Sequence, residues 1–577
     1  MQYYDLSLPQ KSVYDMELFG EGAIATITAD VFFSGEFDRE ILAYSINKVI
    51  EYNDALRIQL DFTASKARQY FTEYSEQDIP CKVFVSKKQY MNWAESYAKI
   101  PLDTKKSLFE ITIISFKGKF GVILKCHHLI GDAWSILAYL HQIFRFNKLL
   151  SEKHQLEDEK QYSYLSYISR EQNYLKSERY LRDKNYWLDV LSLHKTPTVF
   201  SQKASNNQQS QRKLFVLDQK LDDQISEYCK KNNTSEFALF LTVLAIYIYK
   251  KTNQNDLYIG TTILNRKTAE DKKTSGMFVN TVPMQIDIMP DNSVLDNIES
   301  AKKSIRNIFR HQEYSYTEVL QDARTHFGLT DRLTDIYFNY QNVDKSFGEG
   351  HAFNTWYHCG YQTESLNIHV GRNAKKKLEI FYDYQIAKFK EWEIEYLHKQ
   401  YYHLLQSVVQ ADKTPVKQLS CLDSDEFNQV IYKFNDTAAK YPSDKTVVDL
   451  FEEQVKKTPG NVAVVYEDKK ITYGELNAKA NQLAYRLRES GVKPDDKVAI
   501  LTQRSIEMII GIYGIIKAGG AYVPMDPGYP SDRIKYMMDD CQPRAIVLGK
   551  AELPEKNGDT GHRPFRQKYI YRGVPKS

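Results

Sequence analysis

Cysteine is scarce: Cys81, Cys126, Cys229, Cys359, Cys421 and Cys541 are the only six in 577 residues, and no two form a Cys-x-x-Cys pair. That scatter excludes a disulfide framework and fits reduced thiols in the cytoplasm. An excess of charge is missing as well, since 77 Lys and Arg stand against 74 Asp and Glu for a net charge of +3. Electrostatics alone therefore gives no reason to expect nucleic acid or an anionic membrane as partner. Met1 to Gln10 lacks a basic region followed by an apolar core, so no signal peptide is expected. The longest apolar run, Phe237 to Tyr249, is too short to cross a bilayer.

What is present is length and pattern. A chain of 577 residues allows three or four folding units. The 42 tyrosines accompany abundant Lys and Asn and read as compositional bias. The most informative stretch is Lys125-Cys126-His127-His128-Leu129-Ile130-Gly131-Asp132-Ala133-Trp134-Ser135. Phe109 to Phe116 and Lys119 to His128 are β-rich and separated by Lys117-Gly118-Lys119, which predicts a hairpin. Ile136, Leu137, Leu140, Ile143 and Phe144 then recur at helical spacing, with Asp132 or Ser135 available as a cap. The motif is thus a strand-to-helix corner.

Alternation along a strand sends adjacent side chains to opposite faces, so one histidine works and the other supports. His128 shares its expected face with Val122, Leu124 and Cys126, and His127 shares that of Ile123 and Lys125, which favours His128 as the chemical residue. A histidine in a packed strand is also often only a hydrogen-bonded core residue. A zinc site from the two histidines and Asp132 is set aside because adjacent strand histidines diverge and no further ligand lies at helical spacing nearby.

The run His127-His128-Leu129-Ile130-Gly131-Asp132-Ala133 resembles the His-His-x-x-x-Asp-Gly signature of nonribosomal peptide synthetase condensation domains, which are chloramphenicol acetyltransferase-like. The likeness continues in order. Leu8 to Tyr14 resembles the opening motif without its Trp, and Asn53 to Ile58 a second motif, implying a structural arginine, Arg57, under the corner. Tyr164-Leu165-Ser166-Tyr167 approximates Tyr-x-Asp-Tyr, and Ile259 to Arg266 resembles a segment whose arginine pairs with the motif aspartate, here Asp132. Gly276 to Pro283 nearly repeats Gly-x-Phe-Val-Asn-Thr, His311 to Tyr314 resembles His-Gln-Asp-Tyr, and Asp335 to Asn342 closes the series as a strand.

The resemblance implies an α/β fold of two such lobes in a V with a central tunnel, residues 1–175 and 176–421, and His128 near its middle. A loop is expected over Ser201 to Arg212. The implied reaction is amide formation by attack of a carrier-bound aminoacyl amine on an acyl or peptidyl thioester. His128, His127 and Asp132 would be catalytic, Asp132 by holding the corner, with Arg57, Arg266, Ala133, Trp134 and Asn280 in support and no metal. Ala133 replaces the family's glycine, which matters only if that residue needs φ > 0. The chain itself would bind no cofactor; phosphopantetheine would arrive on peptidyl or aminoacyl carrier proteins, and acyl-CoA is a further candidate donor. Because no carrier precedes the first motif, the donor is expected in trans, with a slight preference for an initiating role.

Residues 422–446 resemble the condensation–adenylation linker, and 447–549 carry two adenylation motifs, Ile471 to Leu476 and Lys517 to Asp526, with a turn-rich break over Pro524 to Pro530. No Gly/Ser/Thr-rich phosphate loop follows, so an incomplete adenylation fragment with exposed apolar surface, poor order and no ATP use is expected, from a truncated or frame-shifted gene product. Residues 550–577 read as a disordered tail. Rival readings are an epimerisation relative, a heterocyclisation relative, which would carry Asp in place of His127, and a catalytically silent recruitment scaffold of the same fold.

Overall fold

The computed structural model describes residues 2–33, 38–63, 66–156, 161–193, 196–201, 203–329, 332–341, 354–373, 376–549 and 570–572. The chain forms two compact units, 1–435 and 436–577. Asn342, 550–569 and 573–577, on which expectations were placed, lie outside the described residues.

In the first unit, one five-stranded sheet runs in the order Asn354–Tyr357, Thr26–Phe33, Lys119–His127, Phe109–Phe116, Cys81–Phe84. The hairpin has its expected place, with Phe116 paired to Lys119. Lys117 and Gly118 both take left-handed φ, 45° and 74°, the geometry that matches a two-residue turn to strand twist. Val122, Leu124 and Cys126 face the core formed with helices Arg39–Tyr52 and Ala133–Ser151, including Leu42, Ile46, Ile136 and Leu140. Ile123 packs on the opposite side with Tyr90, Phe116 and Tyr357.

A six-stranded sheet forms the second lobe in the order Asn280–Asp287, Asp256–Ile263, Ile336–Gln341, Leu366–Arg372, Leu378–Gln385, Ser210–Val216. The apolar helix Glu236–Thr252 buries every residue from Ala238 to Ile248. With helices Val294–Arg310 and Glu391–Gln410 it shares the second lobe's apolar core.

The lobes exchange segments, so a clean division after residue 175 does not hold. Asn354–Tyr357, from the second half, pairs antiparallel with Thr26–Phe33 of the first. Asp30 fastens this crossing: it accepts from Tyr90 Oη at 2.5 Å, Tyr357 Oη at 2.6 Å and Thr355 N at 2.8 Å, while burial pushes its carboxyl pKa up. Met277 and Phe278 likewise belong to the first lobe's core. One further boundary shifts: the strand beginning at Ser210 takes in the last residues of the expected loop.

The second unit places strands Ala521–Met525, Lys497–Leu501, Ala545–Leu548 and Ile570–Arg572 side by side in a parallel sheet. Its motifs have local physical causes. Thr472 caps helix Tyr473–Glu489 and Glu475 completes the capping box. Gly519, at φ 92°, ends helix Ile506–Ala518. The expectation of poor order is replaced by regular elements over most of 447–549, although Val447, Tyr485 and Tyr536 are exposed. Pro524 sits inside a strand, so the break starts after Met525. Ile570–Arg572 also forms a strand, against the expected structureless tail.

Candidate active site

The strand ends at His127, one residue earlier than expected, and His128 opens a 3-10 turn, His128–Ile130. Strand alternation therefore does not set the direction of His128; the turn does. His128 N donates to Ala25 O at 2.8 Å, and Gln10 Nε2 donates to Leu129 O at 2.9 Å. Gln10 is fully buried in helix Leu8–Leu18 and also exchanges amide hydrogen bonds with Gln69. The opening motif thus clamps the histidine turn.

The His128 side chain is half-buried, and its Nδ1 is closed off without a hydrogen-bond partner among the described residues. Burial pushes its pKa down to about 4, with Asp132 pulling the other way. At neutral pH the ring is uncharged, able to accept a proton or a hydrogen bond. His127 is closed, 1% exposed, so its place among catalytic residues is corrected to a supporting one. Its Nδ1 accepts from Leu129 N at 3.1 Å, and its Nε2 lies 3.2 Å from Glu17 Oε1.

Asp132 caps helix Ala133–Ser151, Oδ1 accepting from Ser135 N at 2.9 Å. It meets Arg266 through two contacts, Nη1 to Oδ2 at 2.5 Å and Nη2 to Oδ1 at 3.1 Å, and accepts from Phe278 N at 3.2 Å. With its oxygens so engaged it holds the corner and is unsuited to proton transfer. The Arg266 guanidinium also lies 4.2 Å from the Phe278 ring centroid, and Nη2 donates to Ser135 Oγ at 2.9 Å.

The remaining expected residues scatter. Ala133 is exposed at the first helical position and is absent from the positive-φ residues, so its Cβ costs no backbone strain. Trp134 Nε1 donates to Lys272 O at 3.0 Å, and Asn280 Nδ2 to Gln312 O at 2.7 Å, ties that brace neighbouring segments. Arg57 is structural but is not under the corner. It donates to Ile50 O, Glu51 O and Thr72 O, at the end of helix Arg39–Tyr52.

The contact that joins the lobes behind the corner has signals in the motifs but needs coordinates to be seen. Tyr164 Oη reaches Met277 O at 2.6 Å and Ser7 Oγ at 3.0 Å. Gly276 lies against it at φ 146°, where a Cβ would come within 2.2 Å of the Tyr164 ring. Glycine is needed there for both conformation and space. Glu17 carries no motif signal.

Residues 1–431 match the family described as condensation domain, and 451–572 match AMP-binding enzyme. Bacitracin synthase 3 of Bacillus licheniformis is 28% identical over 573 residues, covering 96% of this chain and 9% of the relative. Gramicidin S synthase 2 of Brevibacillus brevis is 28% identical over 553 residues, covering 93% and 12%. The chain spans only about a tenth of the length of these relatives. A four-domain nonribosomal peptide synthetase bound to AMP and glycine superposes with TM-score 0.73 at 17% identity, over 95% of this chain and 44% of the other. The starter condensation domain of rhizomide synthetase, solved with C8-CoA and Leu-SNAC, gives TM-score 0.64 at 18% identity, over 73% and 98%.

Proposed function

Because the chain belongs to the condensation-domain family of nonribosomal peptide synthetases, with part of an AMP-binding domain after it, we propose that its first unit joins a carrier-bound aminoacyl amine to an acyl or peptidyl thioester. The amine attacks the thioester carbonyl, a C–N bond forms, the C–S bond breaks, and the thiol leaves with the proton the amine gives up. In this reading donor and acceptor reach His128 from between the two lobes.

The observation that carries this reading is the neutral, half-buried His128 ring, set in the turn that leads into helix Ala133–Ser151, whose first turn Asp132 and Arg266 hold. Magnitudes decide what the ring does. An α-ammonium has a pKa of about 7.7–8.0. Moving its proton to an imidazole near 4 is uphill by about 5 kcal/mol. His128 is therefore a poor base toward the free ammonium. It orients the already neutral amine as a hydrogen-bond acceptor and takes the proton after attack, when the nitrogen of the tetrahedral adduct has become acidic. The N-terminal end of helix Ala133–Ser151 adds positive potential for the developing oxyanion.

Phosphopantetheine enters on the partner carriers in this reading. An acyl-CoA donor suits an initiating role; a starter domain of the same fold was solved with C8-CoA. Incubating the protein with an aminoacyl carrier and, in parallel, acyl-CoA or a peptidyl carrier, then weighing the product, tests the proposal. Amide formation supports the enzyme; carrier binding without product would leave a recruitment scaffold.

A further inference from the structure

Helix Leu8–Leu18 grips the histidine turn at two points on one face, because Gln10 and Glu17 stand seven residues, two turns, apart. Gln10 holds the Leu129 carbonyl at 2.9 Å. Glu17 approaches the ring of His127, its Oε1 3.2 Å from Nε2. We propose that Glu17 is a positioning residue that holds His127 in its Nε2–H tautomer and so fixes the turn presenting His128. It rests on His128 being the residue that orients the amine and takes its proton.

Leu129 N donates to His127 Nδ1 at 3.1 Å, so that nitrogen must keep its lone pair and the ring proton must sit on Nε2. In the other tautomer two N–H groups would face each other inside a closed pocket, and the Leu129 amide would lose its acceptor. The Leu129 amide favours this tautomer from the Nδ1 edge. The Glu17 carboxylate reinforces it from the other side, because its negative charge lies against the Nε2 edge, where it favours a proton. The contact is off the line of a directed hydrogen bond and works through charge. Glu17 is 37% exposed while His127 is 1% exposed, so a surface helix reaches in to set a closed ring. The hold then passes along the backbone. His127 N donates to Leu108 O and His128 N to Ala25 O, each at 2.8 Å, and the imidazole of one histidine secures the residue just after the other.

The test uses the full chain with ¹⁵N-labelled histidine, whose ring shifts separate the two tautomers, alongside steady-state amide formation. Glu17→Leu is expected to turn the single Nε2–H signature of His127 into a mixture and to lower kcat about tenfold to a hundredfold with KM for the donor unchanged. Glu17→Asp, which keeps the negative charge, is expected to stay closer to the parent in both readouts, and Glu17→Gln, which removes it, to behave like the leucine variant. Persistence of the Nε2–H signature in Glu17→Leu, or a kcat within about twofold of the parent, overturns the proposal. If the leucine variant does not fold, Glu17→Ser removes the carboxylate as well and is read the same way. Failure of the underlying mechanism is distinguishable: a fully active His128→Ala would remove His128 from the chemistry, and the tautomer spectrum would still decide whether Glu17 sets His127.

Discussion

Asp132 and Arg266 face each other in a two-point pair, 2.5 and 3.1 Å, with both side chains 1% exposed, although 134 residues separate them in the chain. The pair ties the start of helix Ala133–Ser151 to the chain that follows strand Asp256–Ile263 of the second lobe. It links the histidine corner to the opposite half.

Breaking a pair buried this deeply leaves one charge without its partner, which costs about 3–5 kcal/mol. Arg266→Met and Asp132→Asn should each destabilise the first unit by that order. Together they should cost clearly less than the sum, because the double variant strands no charge. Urea unfolding of the four species checks this, and strictly additive losses would show that the two residues do not act as a pair.

The ion pair is legible in the motif order, and the hairpin in the two β-rich segments on either side of Lys117-Gly118-Lys119. Those features depend on local pattern or on side chains a family motif already brings together. The direction of His128 is not legible, because strand alternation ends at His127 and the 3-10 turn at His128–Ile130 has no periodic signature. Arg57 was misplaced for a related reason: its motif names a residue type, whereas its partners are backbone carbonyls at the end of a helix, which any sequence can supply. The Asp30 crossing and the Glu17 contact are long-range meetings of ordinary residues, and no spacing announces them.

At Gly276 a side chain meets two obstacles, φ of 146° and the Tyr164 ring at 2.2 Å from a Cβ. Gly276→Ala should lower stability by about 1–3 kcal/mol and displace Tyr164 from Met277 O. Thermal unfolding reads the loss, and an unchanged Tm would mean that the loop yields freely.

Glu171 gives a stability signature in pH. Its carboxyl is buried, accepts from Leu8 N at 2.9 Å and Tyr167 Oη at 3.1 Å, and burial pushes its pKa up to about 7. A carboxyl whose folded pKa lies above the unfolded one binds more proton when folded, so stability falls as pH rises from about 4.5 to 7. Glu171→Gln should flatten that slope in denaturation midpoints taken across the window. An identical slope in the variant would assign the dependence to other groups.

The rate of amide formation should show no inflection from an imidazole between pH 5 and about 7, since His128 is already neutral above about 4. Its acid limb should follow the acceptor amine, at about 7.7–8.0. Replacing the acceptor by one of lower amine pKa should move the limb with it. A limb that stays near 6.5 for both acceptors would mean that His128 titrates in the working range and acts as an ordinary base.

The most direct test is single-turnover amide formation by His128→Ala beside the parent protein, with the same loaded carrier acceptor and the same thioester donor. The account predicts a folded variant slowed by about a hundredfold or more. A variant that forms the amide at the parent rate would contradict it.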